Sequence, residues 1–345
     1  MDYENKGNTG LKLKIKTYKL PNGVYELDEE NKLIWACDYS KTIYAENHTF
    51  FSGTHEGLIK IWTCLSEKPL TTFQAHRLII KCLICLSDTQ IATGSQDKSI
   101  KIWTINEDRS GSGKEFSCLK ILNGHEGRVN CLLRRDDRIL FSGSCDTYIK
   151  MWDVKTCICL KTFRGHEERV DCLQFNRDSS KLFSGSKDKT IKIWMISNGE
   201  CLRTLLNTSY VICLAYSPTN ADLISGSSDG TIKIWNANKD ALLLTGHTNR
   251  VSALILLSTG DLISGSQDKT IRIWSLMRRA NISCIKILNG HQMCVWCLKV
   301  LPCGQLISGS NDNTIRVWDL RNGKCKKVLT APKNRNACLA LRKCF

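Results

Sequence analysis

Apolar and polar residues along this chain alternate over short runs broken by turn-forming residues. A representative stretch reads RVNCLL (residues 128–133), RILFSG (138–143), TYIKMW (147–152) and CICLKTF (157–163), with Asp, Ser and Thr in the gaps. Runs of six or seven residues, rich in β-branched and aromatic side chains, predict β-strands, and they come four to a unit. A four-stranded sheet of this size cannot bury both of its faces alone. Several such sheets must therefore pack on one another, which predicts a repeat architecture.

The repeat is explicit. One phrase recurs seven times and ends in Trp each time: SGTHEGLIKIW (52–62), TGSQDKSIKIW (93–103), SGSCDTYIKMW (142–152), SGSKDKTIKIW (184–194), SGSSDGTIKIW (225–235), SGSQDKTIRIW (264–274) and SGSNDNTIRVW (308–318). The terminal residues are Trp62, Trp103, Trp152, Trp194, Trp235, Trp274 and Trp318, spaced by 41, 49, 42, 41, 39 and 44. His76, His125, His166, His247 and His291 precede the Trp of their units by 27, 27, 28, 27 and 27 residues. Length varies instead between each Trp and the next His, where residues 106–117 form the longest insertion and read as a solvated loop.

Seven phrases in phase, with His at a near-fixed distance in five, resemble the WD-repeat family over roughly residues 30–330. The resemblance implies an all-β, seven-bladed propeller of four-stranded antiparallel blades; eight blades is the alternative. Residues 1–10 read as a flexible N-terminus and 11–345 as a single propeller. Residues 12–18 (KLKIKTY) and 20–27 (LPNGVYEL) look like the last two strands of a degenerate unit, and 336–341 (NACLAL) like the start of another. Pairing of N- and C-terminal segments would then close the ring and hide its edges.

The same resemblance implies a buried relay in each blade, running from the indole through a hydroxyl and the imidazole to a carboxylate. The sets are His76, Thr93, Asp97 and Trp103; His125, Ser142, Asp146 and Trp152; His166, Ser184, Asp188 and Trp194; His247, Ser264, Asp268 and Trp274; and His291, Ser308, Asp312 and Trp318. In such a chain each donor meets an acceptor, so polar groups can be buried together. Ser, His and Asp are also the residue types of a hydrolase triad, but five equivalent constellations read as structural staples, and the chain reads as a non-enzyme. Two units depart from the pattern: the fifth has Leu206-Asn207 for Gly-His, and the first has Glu56 for Asp with Trp35 at the His position. Both should be locally weaker.

A net charge of +16 raises nucleic-acid binding, yet Lys60, Lys101, Lys150, Lys192, Lys233, Arg272 and Arg316 belong to the repeat phrase itself. No lysine run interleaved with aromatics stands out. No apolar run approaches the roughly 20 residues of a membrane helix, and residues 1–19 lack the apolar core of a secretory signal. The expected compartment is the cytoplasm or nucleus, where the 19 cysteines stay reduced. Eleven of them are periodic. Cys82, Cys131, Cys172, Cys213, Cys297 and Cys338 fall six residues after the His position, and Cys118, Cys159, Cys201, Cys284 and Cys325 fall six or seven before it. They read as small core fillers. The pairs Cys82/Cys85 and Cys294/Cys297 have ligand spacing but no second pair nearby, so neither metal nor cofactor is expected.

In WD-repeat proteins the loops before the inner strands and the turns before the Asp open on one face around the central channel. Three residues past the His position lie Ile79, Arg128, Arg169, Tyr210, Arg250 and Cys294; five past lie Lys81, Asn130, Asp171, Ile212, Ser252 and Trp296; just before the acid lie His55, Gln96, Cys145, Lys187, Ser228, Gln267 and Asn311. From these, Lys81, Arg128, Asn130, Arg169, Asp171, Lys187, Tyr210, Arg250, Gln267, Trp296 and Asn311 are the candidate partner-binding residues, because Arg and aromatics are enriched in interface hot spots. The expected function is a monomeric, non-catalytic scaffold within a multiprotein complex, binding acidic or phosphorylated peptides there. An RNA-associated scaffold and the recognition subunit of a ubiquitin ligase are the alternatives, with nucleic acid not favoured.

Overall fold

Backbone N–H and C=O groups in apolar runs must be paired to be buried. The computed structural model pairs them strand to strand; it describes residues 16–20, 23–27, 33–34, 49–63, 66, 68–87, 89–107, 114–236, 241–276, 282–330 and 336–341. Two units are distinguished, Met1–Ala45 and Glu46–Phe345. In the first, Lys16–Leu20 and Gly23–Leu27 form an antiparallel hairpin, to which Leu33–Ile34 adds a third strand.

The second unit holds seven four-stranded antiparallel sheets. The fourth is representative, running outward through Val170–Phe175, Lys181–Ser186, Thr190–Met195 and Cys201–Leu206. The innermost strands, Ile80–Cys85, Val129–Arg134, Val170–Phe175, Val211–Ser217, Val251–Leu256, Val295–Val300 and Asn336–Leu341, each pack on the next, and the last packs back on the first. The ring is therefore closed, and the fold is a seven-bladed β-propeller.

Closure uses both ends of the unit. Asn336–Leu341 pairs antiparallel with Thr49–Thr54, Asn336 opposite Thr54, and so becomes the inner strand of the blade containing Leu58–Thr63 and Thr71–Gln74. This corrects one expectation from the sequence. The loop entering that inner strand is the one before Asn336, so the His position of the first blade falls at Pro332, not at Trp35. Both residues lie outside the described ones.

Blade faces bury apolar side chains against each other. Phe141, Ile149 and Phe163 of the third blade pack with Val170, Leu173, Leu182 and Trp194 of the fourth. Each such side chain contributes roughly 1.5–3 kcal/mol. The central Gly of Ser-Gly-Ser is needed for this approach: a Cβ on Gly143 would lie 2.7 Å from both Val170 Cγ1 and Cys131 Sγ. Four of the periodic inner-strand thiols thus sit under these glycines: Cys82 at Gly94, Cys131 at Gly143, Cys172 at Gly185 and Cys213 at Gly226. Outer-strand thiols behave differently. Cys159, Cys201, Cys284 and Cys325 stand opposite Trp residues at β-bulges, and Cys118 and Cys201 are exposed, so phase alone did not give burial there.

Candidate functional site

Two polar assemblies stand out, one buried in the blades and one at the mouth of the channel. In the fourth blade, Trp194 Nε1 donates to Ser184 Oγ at 2.8 Å, Ser184 Oγ meets His166 Nε2 at 2.6 Å, and His166 Nδ1 meets Asp188 Oδ2 at 2.6 Å. The sets at His76, His125, His247 and His291 repeat this, with His–carboxylate distances of 2.8, 2.6, 2.6 and 2.7 Å and His–hydroxyl distances of 2.7, 2.7, 2.8 and 2.7 Å. Indole N–H, hydroxyl, imidazole and carboxylate are aligned donor to acceptor, which satisfies each group. The relay hydroxyls are fully buried and already receive an indole proton, which gives them no open approach to a substrate carbonyl.

The carboxylates respond to this setting. Burial pushes Asp188 up, but hydrogen bonds from His166 and Thr190 outweigh it and hold the group well below the ordinary carboxylate range. Asp268 and Asp312 are held low in the same way by His247 with Thr270 and by His291 with Thr314. Burial lowers His76, with Asp97 opposing.

The fifth blade lacks the relay. Trp235 still donates to Ser225 at 2.9 Å, but Asn207 reaches Ser227 Oγ and the Ser209 carbonyl, and its own Oδ1 is buried without a partner. Among the described residues, Asp229 bonds within its turn, to the Thr231 N–H and hydroxyl. In the first blade Trp62 donates to Ser52 at 2.9 Å.

The second assembly forms because backbone geometry ties two of the counted positions together. In six blades the residue before the turn acid donates its N–H to the carbonyl three past the His position: Gln96 to Ile79, Cys145 to Arg128, Lys187 to Arg169, Ser228 to Tyr210, Gln267 to Arg250 and Asn311 to Cys294. The side chains converge on a basin of about 310 Å³ lined by His55, Lys81, Arg128, Asn130, Arg169, Asp171, Ile212, Arg250, Ser252 and Trp296. Arg169 Nε lies 3.0 Å from both Asp171 oxygens. Arg128 Nε donates to Asn130 Oδ1 at 3.1 Å, and Asn130 Nδ2 donates to Asp171 Oδ1 at 3.2 Å. The Arg250 guanidinium lies 5.4 Å from the Trp296 ring centroid. Burial lowers its pKa, with Asp171 opposing and Arg169 and Arg128 adding.

Of the eleven candidate residues, Lys81, Arg128, Asn130, Arg169, Asp171, Arg250 and Trp296 line the basin. Lys187, Tyr210, Gln267 and Asn311 do not. Lys187 instead lies 5.7 Å from the Tyr210 ring centroid and 3.5 Å from Glu168. His55, Ile212 and Ser252 line the basin too; position counting reached them, but their residue types gave no reason to prefer them. No group of three or more His, Cys, Asp or Glu suited to a metal occurs among the described residues.

A ring of seven sheets, stapled by Trp–Ser–His–Asp relays and opening on a polar basin, defines a propeller of the repeat type. The chain belongs to the family described as WD domain, G-beta repeat, which matches residues 67–104, 116–153, 157–195, 199–236, 239–275 and 282–319, together more than half of its length. The matched segments leave out the first phrase, whose blade is shared between both ends. Among similar proteins are a ribosome biogenesis protein of Aspergillus oryzae, 28% identical over 121 residues, 34% of this chain and 25% of that one. A CCR4-associated factor 4 homolog of Candida glabrata is 29% identical over 99 residues, 28% of this chain and 17% of that one. Mitochondrial division protein 1 of Schizosaccharomyces pombe is 30% identical over 154 residues, 41% of this chain and 23% of that one. The matched part of this chain spans a quarter or less of each of these three relatives.

Proposed function

We propose that this protein is a non-catalytic scaffold that docks an acidic or phosphorylated segment of a protein partner in the basin at the channel mouth. One observation carries the reading: Arg128, Arg169 and Arg250 converge in one basin where Asp171 is the lining carboxylate. Guanidinium groups form strong, directional, charge-assisted hydrogen bonds with carboxylates and phosphates. Trp296 and the three arginines are also the residue types that dominate interface energetics. Relatives named for ribosome biogenesis, for association with another factor and for mitochondrial division are consistent with work inside larger assemblies. Affinity purification from the native cell, comparing wild type with Arg128→Glu, Arg169→Glu, Arg250→Glu, tests it. Loss of one or more partners with the fold intact is expected; an unchanged interaction set overturns it.

The net charge of +16 and the relatives named for ribosome biogenesis favour a second reading, an RNA-associated scaffold. Binding would then weaken steeply with salt and ignore peptide sequence.

A further inference from the structure

We propose that the group anchored in the basin is a phosphoryl dianion on a protein side chain, not a carboxylate, and that Ser252 and Trp296 select it. The inference rests on the docking reading above and narrows its ligand. Three polar atoms of the basin are buried without a hydrogen-bond partner: Arg250 Nε, Ser252 Oγ and Trp296 Nε1. All three can donate, and all belong to residues that line the same cavity. Buried donors left without acceptors are costly and therefore rare, and three together on adjoining blades mark a place for an acceptor-rich group.

Charge and stoichiometry narrow the choice. Arg128 and Arg169 spend only their Nε atoms on protein partners, so the terminal nitrogens of both, and of Arg250, have no hydrogen-bond partner among the described residues. Against Arg128, Arg169 and Arg250 the basin lining sets the single carboxylate of Asp171. A carboxylate would bring one negative charge and two oxygens to these donors. A phosphoryl group brings close to two charges and three strong acceptor oxygens. The cavity, about 310 Å³, is at the small end for ligand sites, which suits one phosphoryl group and the side chain bearing it. The Trp296 ring stands beside the Arg250 guanidinium, so its free indole N–H, not its face, is what it offers a ligand.

Calorimetric titration of the full chain with O-phosphoserine, glutamate and sulfate tests the inference. O-Phosphoserine should bind at least tenfold more tightly than glutamate. Its affinity relative to that of sulfate should fall between pH 7.5 and 5.5, as the phosphoryl group passes its second ionisation at about 6; the ionisable groups lining the basin, His55, Lys81, Arg128, Arg169, Asp171 and Arg250, act on both anions. Trp296→Phe keeps the ring and removes one donor; Ser252→Ala removes another. Each should weaken O-phosphoserine about tenfold, the scale of a hydrogen bond to a charged group, with no fall in the unfolding midpoint, because the donor removed is unpaired in the free protein. Equal binding of glutamate, no detectable binding of O-phosphoserine, or full affinity in both variants overturns the proposal. A peptide array separates this failure from that of the docking reading. If acidic peptides bind regardless of phosphorylation, and Arg128→Glu with Arg169→Glu abolishes it, docking stands and phosphoryl selection falls; if no peptide binds through these arginines, both fall.

Discussion

At the scale of single residues, each complete relay converts four polar groups into one buried chain. Asp188 shows how closely the carboxylate is held: it accepts from His166 Nδ1, the Glu167 N–H, the Thr190 N–H and the Thr190 hydroxyl. Its folded ionisation lies below the ordinary carboxylate value, so its stabilising contribution is complete above about pH 4 and is lost as pH falls further. Asp268 and Asp312 act in the same direction. His76 is also lowered, so its contribution is complete above about pH 6.5 and declines below it. The thermal midpoint should therefore be level from about pH 6.5 to about pH 8, slope gently downward below that range and drop steeply below about pH 4; above it, the thiols of Cys131, Cys172 and Cys213, pushed up by burial, should lower it again. A midpoint that rose on acidification below pH 4 would contradict this account. The same scale explains the sequence positions missed in the basin: Ser252 is informative only because its hydroxyl is buried without a partner.

At the scale of elements, the blades are similar but not equal. In the second, third, fourth, sixth and seventh blades the outer strand places a Cys opposite the Trp at a bulge. In the fifth, Ala241 stands opposite Trp235 without a bulge, and the outer strand is only four residues, Ala241–Leu244. Trp235 is half-buried there, whereas Trp152, Trp194 and Trp318 are buried. Cavities of about 530 and 560 Å³ adjoin it, one beside Phe183 and Trp235, the other beside Ile234 and Leu256. Looser packing and a missing relay place this blade at the low end of local stability. Its other relay members, Ser225, Asp229 and Trp235, are present, and His76 closes its own relay after Ala75, so a preceding Gly is not required. Asn207→His should then complete a sixth relay and stabilise the protein by about 1 kcal/mol, the net worth of a typical hydrogen bond. Denaturant titration would read this, together with slower amide exchange across residues 211–244. An unchanged or lowered midpoint would show that the fifth blade is arranged too differently to accept the imidazole.

At the scale of the whole molecule, each sequence repeat straddles two blades. The matched segment 116–153, for instance, supplies the outer part of one blade and the inner three strands of the next. Offsetting repeat from blade in this way means that the ring is complete only when the last inner strand, Asn336–Leu341, returns to Thr49–Thr54. Without it, Val295–Val300 and Ile80–Cys85 would lose the neighbour on which both pack, and Thr49–Thr54 would become an unpaired edge. Truncation after Thr330 should lower the unfolding midpoint and broaden the transition, because the ring would open into a stack of blades that can unfold from its ends. A truncated chain that melts at the full-length temperature would rule out a closing role for that strand.

The one-dimensional pattern was enough to set the seven repeats, the strand count per blade and the membership of the five relays, because these depend on spacings repeated in phase; whether the chain ends complete a seventh blade or build an eighth was decided by closure. Spacing could not decide which residues meet across blades. Arg128, Arg169, Arg250, Ser252 and Trp296 come from four blades and share a cavity only because the ring brings inner strands far apart in sequence to one mouth. The identity of the first blade's inner strand was likewise settled by closure. Contacts between blades are made at long sequence separation, and only the folded ring specifies them.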